Sequence, residues 1–224
     1  MNLLAIETSG ATCGAALFSG DSPATLRLLA LCETTQANVH DARLAELVRS
    51  VLAETGLTPV DVTTLALSSG PGSFTGLRIG ASFSKGFCFA RSVDFLAVNT
   101  MESLVHAARL SVDLSIAEHV VCAIPSHRNL AYTAVFNAEG TCLSAIQLIP
   151  VEEISHGLSS TDIVVVPDGF SPPISRATLF RTPFSARFVG LRAIDLICKG
   201  ASFDDAEHFV PDYRQDFVPV APSR

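Results

Sequence analysis

Residues 69–86 read SGPGSFTGLRIGASFSKG, a glycine-rich turn that runs directly into a helix built largely from small side chains. The preceding TLALS, residues 64–68, reads as a buried strand that delivers the chain to Gly70, Pro71 and Gly72. Glycines there reach backbone conformations that residues with a Cβ avoid. From about Thr75 the spacing is helical: Ile79, Phe83 and Phe87 recur every four residues, beside a stripe of Gly76, Gly80 and Ser84, with Arg78, Ser82 and Lys85 pointing away. A helix-interior glycine costs about 1 kcal/mol relative to alanine, so two of them one turn apart imply that something approaches closely. Two readings follow. Backbone N–H groups hold an anion at the helix start, or the missing side chains admit a neighbour, either the protein's own sheet or another helix. A P-loop is excluded, because no Lys-Ser or Lys-Thr pair follows the second glycine.

Upstream, LLAIETSGATCGAALF (residues 3–18) reads as a buried strand, a turn bearing Glu7, Thr8, Ser9 and Gly10, and a second apolar strand suited to a hairpin. A third strand is expected over 25–31. A helix over 39–54 carries Leu44, Leu47, Val48, Val51 and Leu52 on one face and Arg43, Glu46, Arg49 and Ser50 on the other. Residues 94–98 complete an order of three strands, helix, strand, helix and strand, which suits an RNase H-like mixed sheet. Beyond it, helices are expected over 101–110, 151–157 and 188–200, and strands over 120–124, 131–137, 141–149 and 163–166.

The opening strand with Glu7-Thr8, the helix after His40 and above all GPGSFTGLRIG (residues 70–80) resemble the TsaB family, also called YeaZ. That family is a shortened relative of the actin, Hsp70 and sugar-kinase ATPases and a paralogue of the larger TsaD, long named a glycoprotease. The resemblance covers the first hundred or so residues specifically and thins beyond. Pro211, Asp212, Tyr213 and Arg214 look like a shortened form of the family's Pro-x-Tyr-x-Arg ending. In Pro167-Asp168-Gly169, Pro167 stands where the family's turn has its first glycine. Pro125, Ser126 and His127, then Leu130, Ala131 and Tyr132, match a family segment by position alone.

The resemblance implies an α/β chain with a two-lobe, actin-like ATPase fold, each lobe an RNase H-like mixed sheet flanked by helices. The expected lobes are 1–104, which binds the partner, and 105–224, smaller and more divergent, its last residues returning to the first. It also implies a non-catalytic scaffold that pairs with TsaD and acts with TsaE and ATP. That complex forms N6-threonylcarbamoyladenosine next to the anticodon of ANN-decoding tRNAs. Leu44, Leu47, Val51, Gly76, Arg78, Ile79, Gly80 and Phe83 are then the partner-binding candidates, because in the family two N-lobe helices meet their counterparts on TsaD or on a second copy. A weak ATPase in its own right and a self-associating structural protein stand as the alternatives.

The chemistry-bearing residues fit a scaffold. Glu7, Thr8 and Ser9 occupy the phosphate turn of the superfamily, and Asp168-Gly169 is the one pair that could face them, so these five are candidates for weak nucleotide binding. The plainer reading, in which Glu7 and Thr8 only shape a hairpin turn, is preferred, because the superfamily's adenosine-binding Gly-Gly signature is missing. No cofactor is expected beyond weak ATP or ADP binding, mainly within the complex. His40 has Leu44 one turn on, not a second histidine, and the other histidines form no H-E-x-x-H pattern, so no metal site is expected. Ser73 does not sit in a G-x-S-x-G elbow, and no catalytic residue is assigned.

Composition agrees. With 224 residues, 48% of them hydrophobic, the chain can bury one large core or two small ones. Its 15 Lys and Arg against 22 Asp and Glu leave a net charge of −7, poor for holding a phosphate backbone unaided, so tRNA would be reached through a partner. The 6 cysteines are scattered, without a C-x-x-C pair, and read as buried thiols in a reducing cytoplasm. No signal-like start and no membrane-length apolar run is read.

Overall fold

The structure, a computed structural model, describes residues 1–214; the expected lobe 105–224 runs past them, and 215–224 lie outside the described residues. The chain opens as an antiparallel meander of β1 (Asn2–Glu7), β2 (Cys13–Ser19) and β3 (Arg27–Thr34). Helix α1 (His40–Thr55) then carries it back so that β4 (Thr64–Ser68) pairs parallel with β1. Helix α2 (Phe74–Phe89) leads to β5 (Asp94–Val98), parallel to β4, giving the order β3-β2-β1-β4-β5. Residues 3–7 of β1 are all buried, the pattern of a strand covered on both faces.

After α3 (Thr100–Ser111), β6 (Val120–Pro125), β7 (Leu130–Phe136), β8 (Gln147–Pro150), β9 (Ile163–Pro167) and β10 (Thr178–Thr182) form a second sheet, and α4 (Ala186–Cys198) follows. Its order, β10-β9-β6-β7-β8, repeats the first pairing for pairing: β6 runs antiparallel to β7 and β7 to β8, while β9 lies parallel to β6 and β10 to β9. This pair of like mixed sheets is the expected two-lobe α/β architecture.

Several boundaries differ from the sequence reading. Pro23–Thr25 forms a short 3-10 turn, so the third strand starts at Arg27. The strand expected over 141–149 is regular only from Gln147, with an isolated bridge between Phe136 and Cys142 before it. Residues 151–157 hold a 3-10 helix, Val151–Ser155, too short for an amphipathic face. Strand β10 was not anticipated, because TLFRT follows a Pro- and Ser-rich loop and carries little apolar content.

The helices cover the sheets unevenly. On one face of the first sheet, α1 sets Leu44, Leu47, Val48, Val51 and Leu52 against Leu4, Ile6, Ala15, Leu17, Leu65 and Leu67. Full burial of each such side chain contributes roughly 1.5–3 kcal/mol. The other face is covered by α4, whose Ala186, Val189 and Ala193 pack on Leu3, Ala5, Ala16 and Phe18. Helix α3 covers the second sheet, with Met101, Leu104, Val105 and Ala108 on Val120, Cys122, Tyr132 and Phe136. The two helices meet, and Arg192 of α4 donates to Glu102 of α3 at 2.8 Å while also pairing with Asp195. Glu33 of β3 anchors the start of α4 by accepting from the Ala186 N–H at 2.7 Å, and Ser185 caps the same end.

The described chain ends as a strap along the first sheet. Asp204 accepts from the Ala97 N–H and donates its own N–H to Phe95, and the Asp212 N–H bonds the Ser69 carbonyl at 2.8 Å. The Tyr213 ring then lies 4.8 Å from that of Phe74, so the Pro211–Arg214 ending is seated on the glycine-rich turn. Among the described residues, no helix is long and apolar enough to cross a membrane.

A side chain at Gly190 would overlap the buried Phe18 ring. Gly190→Ala should therefore lower stability by about 1–3 kcal/mol, despite alanine's better helix propensity, as an overpacked core does. Urea denaturation checks it: an unchanged midpoint contradicts the close α4-sheet contact.

Candidate functional site: an interlobe cleft and a helical face

Where β1 and β4 end, the turn after β1 and the start of α2 are locked together. Glu7 is buried, and its Oε1 accepts from the Ser9 N–H at 2.5 Å, the Ser9 hydroxyl at 2.6 Å and the Ser68 hydroxyl at 3.1 Å. Burial pushes its carboxyl up to about 7; the hydrogen bonds from Ser9 and Ser68 work against that, and the charge of Glu33 adds to it. The Ser9 carbonyl receives the Ser73 N–H at 2.7 Å, and Ser73 caps α2 by accepting from the Gly76 N–H. A Cβ at Gly72 would overlap the Ser9 carbonyl, one at Gly76 the Thr8 carbonyl and one at Gly80 the Thr8 hydroxyl.

The glycine stripe is sealed against the protein's own first turn: the neighbour that Gly76 and Gly80 admit within the chain is Thr8. Leu44, Leu47 and Val51 are no more than 3% exposed and pack in the core beneath α1. The same helical period that marked them as apolar also turns them inward.

Of the five nucleotide candidates, Ser9, Asp168 and Gly169 line a cleft of about 590 Å³ between the two sheets. Glu7 and Thr8 do not; Glu7 is spent on Ser9 and Ser68, and the Thr8 hydroxyl has no hydrogen-bond partner among the described residues. The remaining walls are largely aromatic, with Phe74, Tyr132, Phe184 and Tyr213, plus His127. Among the described residues no Lys or Arg lines the cleft.

Three partner-binding candidates do reach the surface. Arg78 is exposed, and Ile79 and Phe83 are half-buried, packed against the core beneath α1. Phe83 stacks on Phe87 with ring centroids 6.0 Å apart, and the Arg91 guanidinium lies 5.1 Å from the Phe87 centroid. These rings wall a hollow of about 500 Å³ between α1 and α2, closed on the other side by Ala45, Arg49 and Leu52. Sequence reasoning placed Phe87 on the right stripe and Arg49 on the polar face of its helix but passed over Ala45 and Arg91, which no apolar periodicity marks.

A sequence model of the family described as TsaD, tRNA N6-adenosine threonylcarbamoyltransferase, matches residues 18–168, well over half of the chain. The chain belongs to this family, in its TsaB (YeaZ) branch. The tRNA threonylcarbamoyladenosine biosynthesis protein TsaB of Haemophilus influenzae is 32% identical over 132 residues, 59% of this chain and 52% of that one. The Bacillus subtilis protein of the same name is 32% identical over 109 residues, 49% of this chain and 45% of its own. The chain thus spans about half the length of the curated relatives it matches. The solved structure titled YeaZ from Pseudomonas aeruginosa superposes with a TM-score of 0.78 at 25% identity, covering 95% of this chain and all of that one. An inorganic polyphosphate/ATP-glucomannokinase from Arthrobacter sp. strain KM reaches a TM-score of 0.51 at 13% identity, over 88% of this chain and 99% of that one, and shares the fold alone. TsaB membership agrees with the residue 70–80 run, which the structure places at the joint between β4 and α2.

The buried carboxyl gives a pH signature. With its folded value near 7 against an ordinary 4.5, Glu7 keeps a proton in the folded chain that the unfolded chain has released, so stability falls as pH rises from 4.5 through 7. Glu7→Gln keeps the Oε1 acceptor and removes that loss. Between pH 5 and 8 the wild type should lose up to about 3 kcal/mol relative to Glu7→Gln, taken from 1.36 kcal/mol per pH unit of displacement. Parallel pH profiles of the two urea midpoints would refute it.

Proposed function

We propose that the chain is a non-catalytic scaffold and activating partner of a TsaD transferase in forming threonylcarbamoyladenosine on tRNA. In this reading TsaE and ATP join the complex, and tRNA is met indirectly. The names carried by the curated TsaB relatives support the pathway. The observation that carries the scaffold role is the half-buried apolar seam of Ile79, Phe83 and Phe87 on α2 beside α1, of which Phe83 and Phe87 wall the hollow between the two helices. Residues 1–104 present this face, with Arg78, Arg49 and Arg91 as its polar rim. Flat aromatic anchors bordered by arginines are the composition that dominates binding energy at protein interfaces.

The cleft supports the other half of the proposal. Its walls hold Asp168 but no described lysine or arginine, so a nucleotide binds there weakly and chiefly with a partner present. A homodimer through the same face is the competing use of the seam when the chain is alone.

The test is to mix the chain with the TsaD of the same organism and follow mass by light scattering. A one-to-one complex is expected, weakened roughly 30-fold or more by Phe83→Asp, in line with a hot-spot loss of about 2 kcal/mol. Asp168→Ala should leave the complex intact. The scaffold reading fails if the two proteins stay separate at micromolar concentration, or if Phe83→Asp binds like the wild type while retaining its circular dichroism.

A further inference from the structure

At the end of the second sheet away from the cleft, three side chains of metal-binding type converge. Glu118 and His119 lead into β6, and Asp162 leads into β9. These strands are parallel, so their beginnings lie together; their far ends, Ile124–Pro125 and Pro167, line the cleft. Five or six strand residues at about 3.3 Å each separate the two places by roughly 15–20 Å.

One ligand atom from each of Glu118, His119 and Asp162 lies within 4.8 Å of the others. His119 Nδ1 is 3.5 Å from Asp162 Oδ1, against about 3.0–3.4 Å for two donors that share one ion at bonds near 2.1 Å. Asp162 is 4% exposed and is fixed by the Ser159 N–H at 2.7 Å, the His119 N–H at 3.1 Å and the Ser159 side chain, which leaves the carboxylate one acceptor position for an ion. Glu118 is steadied by the Thr161 hydroxyl at 3.3 Å. An imidazole between two carboxylates, one of them buried and immobile, is a mixed nitrogen and oxygen set suited to a first-row divalent ion, unlike a surface group of carboxylates. Both His119 and Asp162 border a hollow of about 340 Å³, also walled by Glu153 and His156, where an ion's remaining positions would be open to water or a small ligand.

We propose that Glu118, His119 and Asp162 form a divalent metal site of the zinc type, which clips the entry of β6 to that of β9. It is independent of the scaffold reading, since neither the seam nor the cleft contributes a residue. An ion bound there favours the folded chain by mass action.

The experiment is calorimetric titration of Zn²⁺ into the chain carrying Cys142→Ser and Cys198→Ser, so that the exposed thiols do not compete. One equivalent is expected to bind and to raise Tm. His119→Ala and Glu118→Gln, both at exposed positions, should each weaken binding at least tenfold without altering the metal-free Tm. The site is ruled out if no heat exceeds dilution, or if both variants bind Zn²⁺ as the parent does.

Discussion

The close seating of α2 on the turn after β1 is the constraint from which the rest of the molecule takes its geometry. Gly72 and Gly76 bring the helix onto the backbone carbonyls of Ser9 and Thr8, and Gly80 onto the Thr8 hydroxyl, at contacts that no Cβ could share. Beneath it, Glu7 ties that turn to Ser9 and to Ser68 of β4 through one oxygen. Fixing the first turn of α2 aims its other side outward. Ile79, Phe83 and Phe87 then form the seam beside α1, and Phe74 stands at the cleft where the Tyr213 ring meets it. One arrangement of small residues therefore sets both a wall of the cleft and the direction of the helical face.

Much of this was legible in the residues. The meander, α1, β4, α2 and β5 follow from apolar spacing and glycine punctuation. The second sheet was harder. β10 is short and lies at a sheet edge, where the apolar content that advertises a strand is not needed. The stretch before Gln147 meets β7 through an isolated bridge at Cys142 and a few single hydrogen bonds, so its apolar residues do not become a ladder.

The candidate site was legible in composition and not in direction. A stripe of Leu44, Leu47 and Val51 marks an amphipathic helix, but period alone does not say whether its apolar side meets the protein's own sheet or another molecule; burial at or below 3% decides for the sheet. Gly76 and Gly80 showed that something approaches closely, and the approaching group is Thr8, one turn of chain that sequence distance conceals. Glu118, His119 and Asp162 escaped because 43 residues separate the histidine from the aspartate and only the parallel pairing of β6 with β9 unites them.

The exchange of covers between the sheets has a bearing on biosynthesis. Strands β1 to β5 are complete by Val98, yet the helix that seals their far face comes from Ala186–Cys198. A growing polypeptide therefore lacks the α4 cover over Leu3, Ala5, Ala16 and Phe18 for roughly ninety further residues of translation. That face of the first sheet reaches its final cover only once the C-terminal helix has been made.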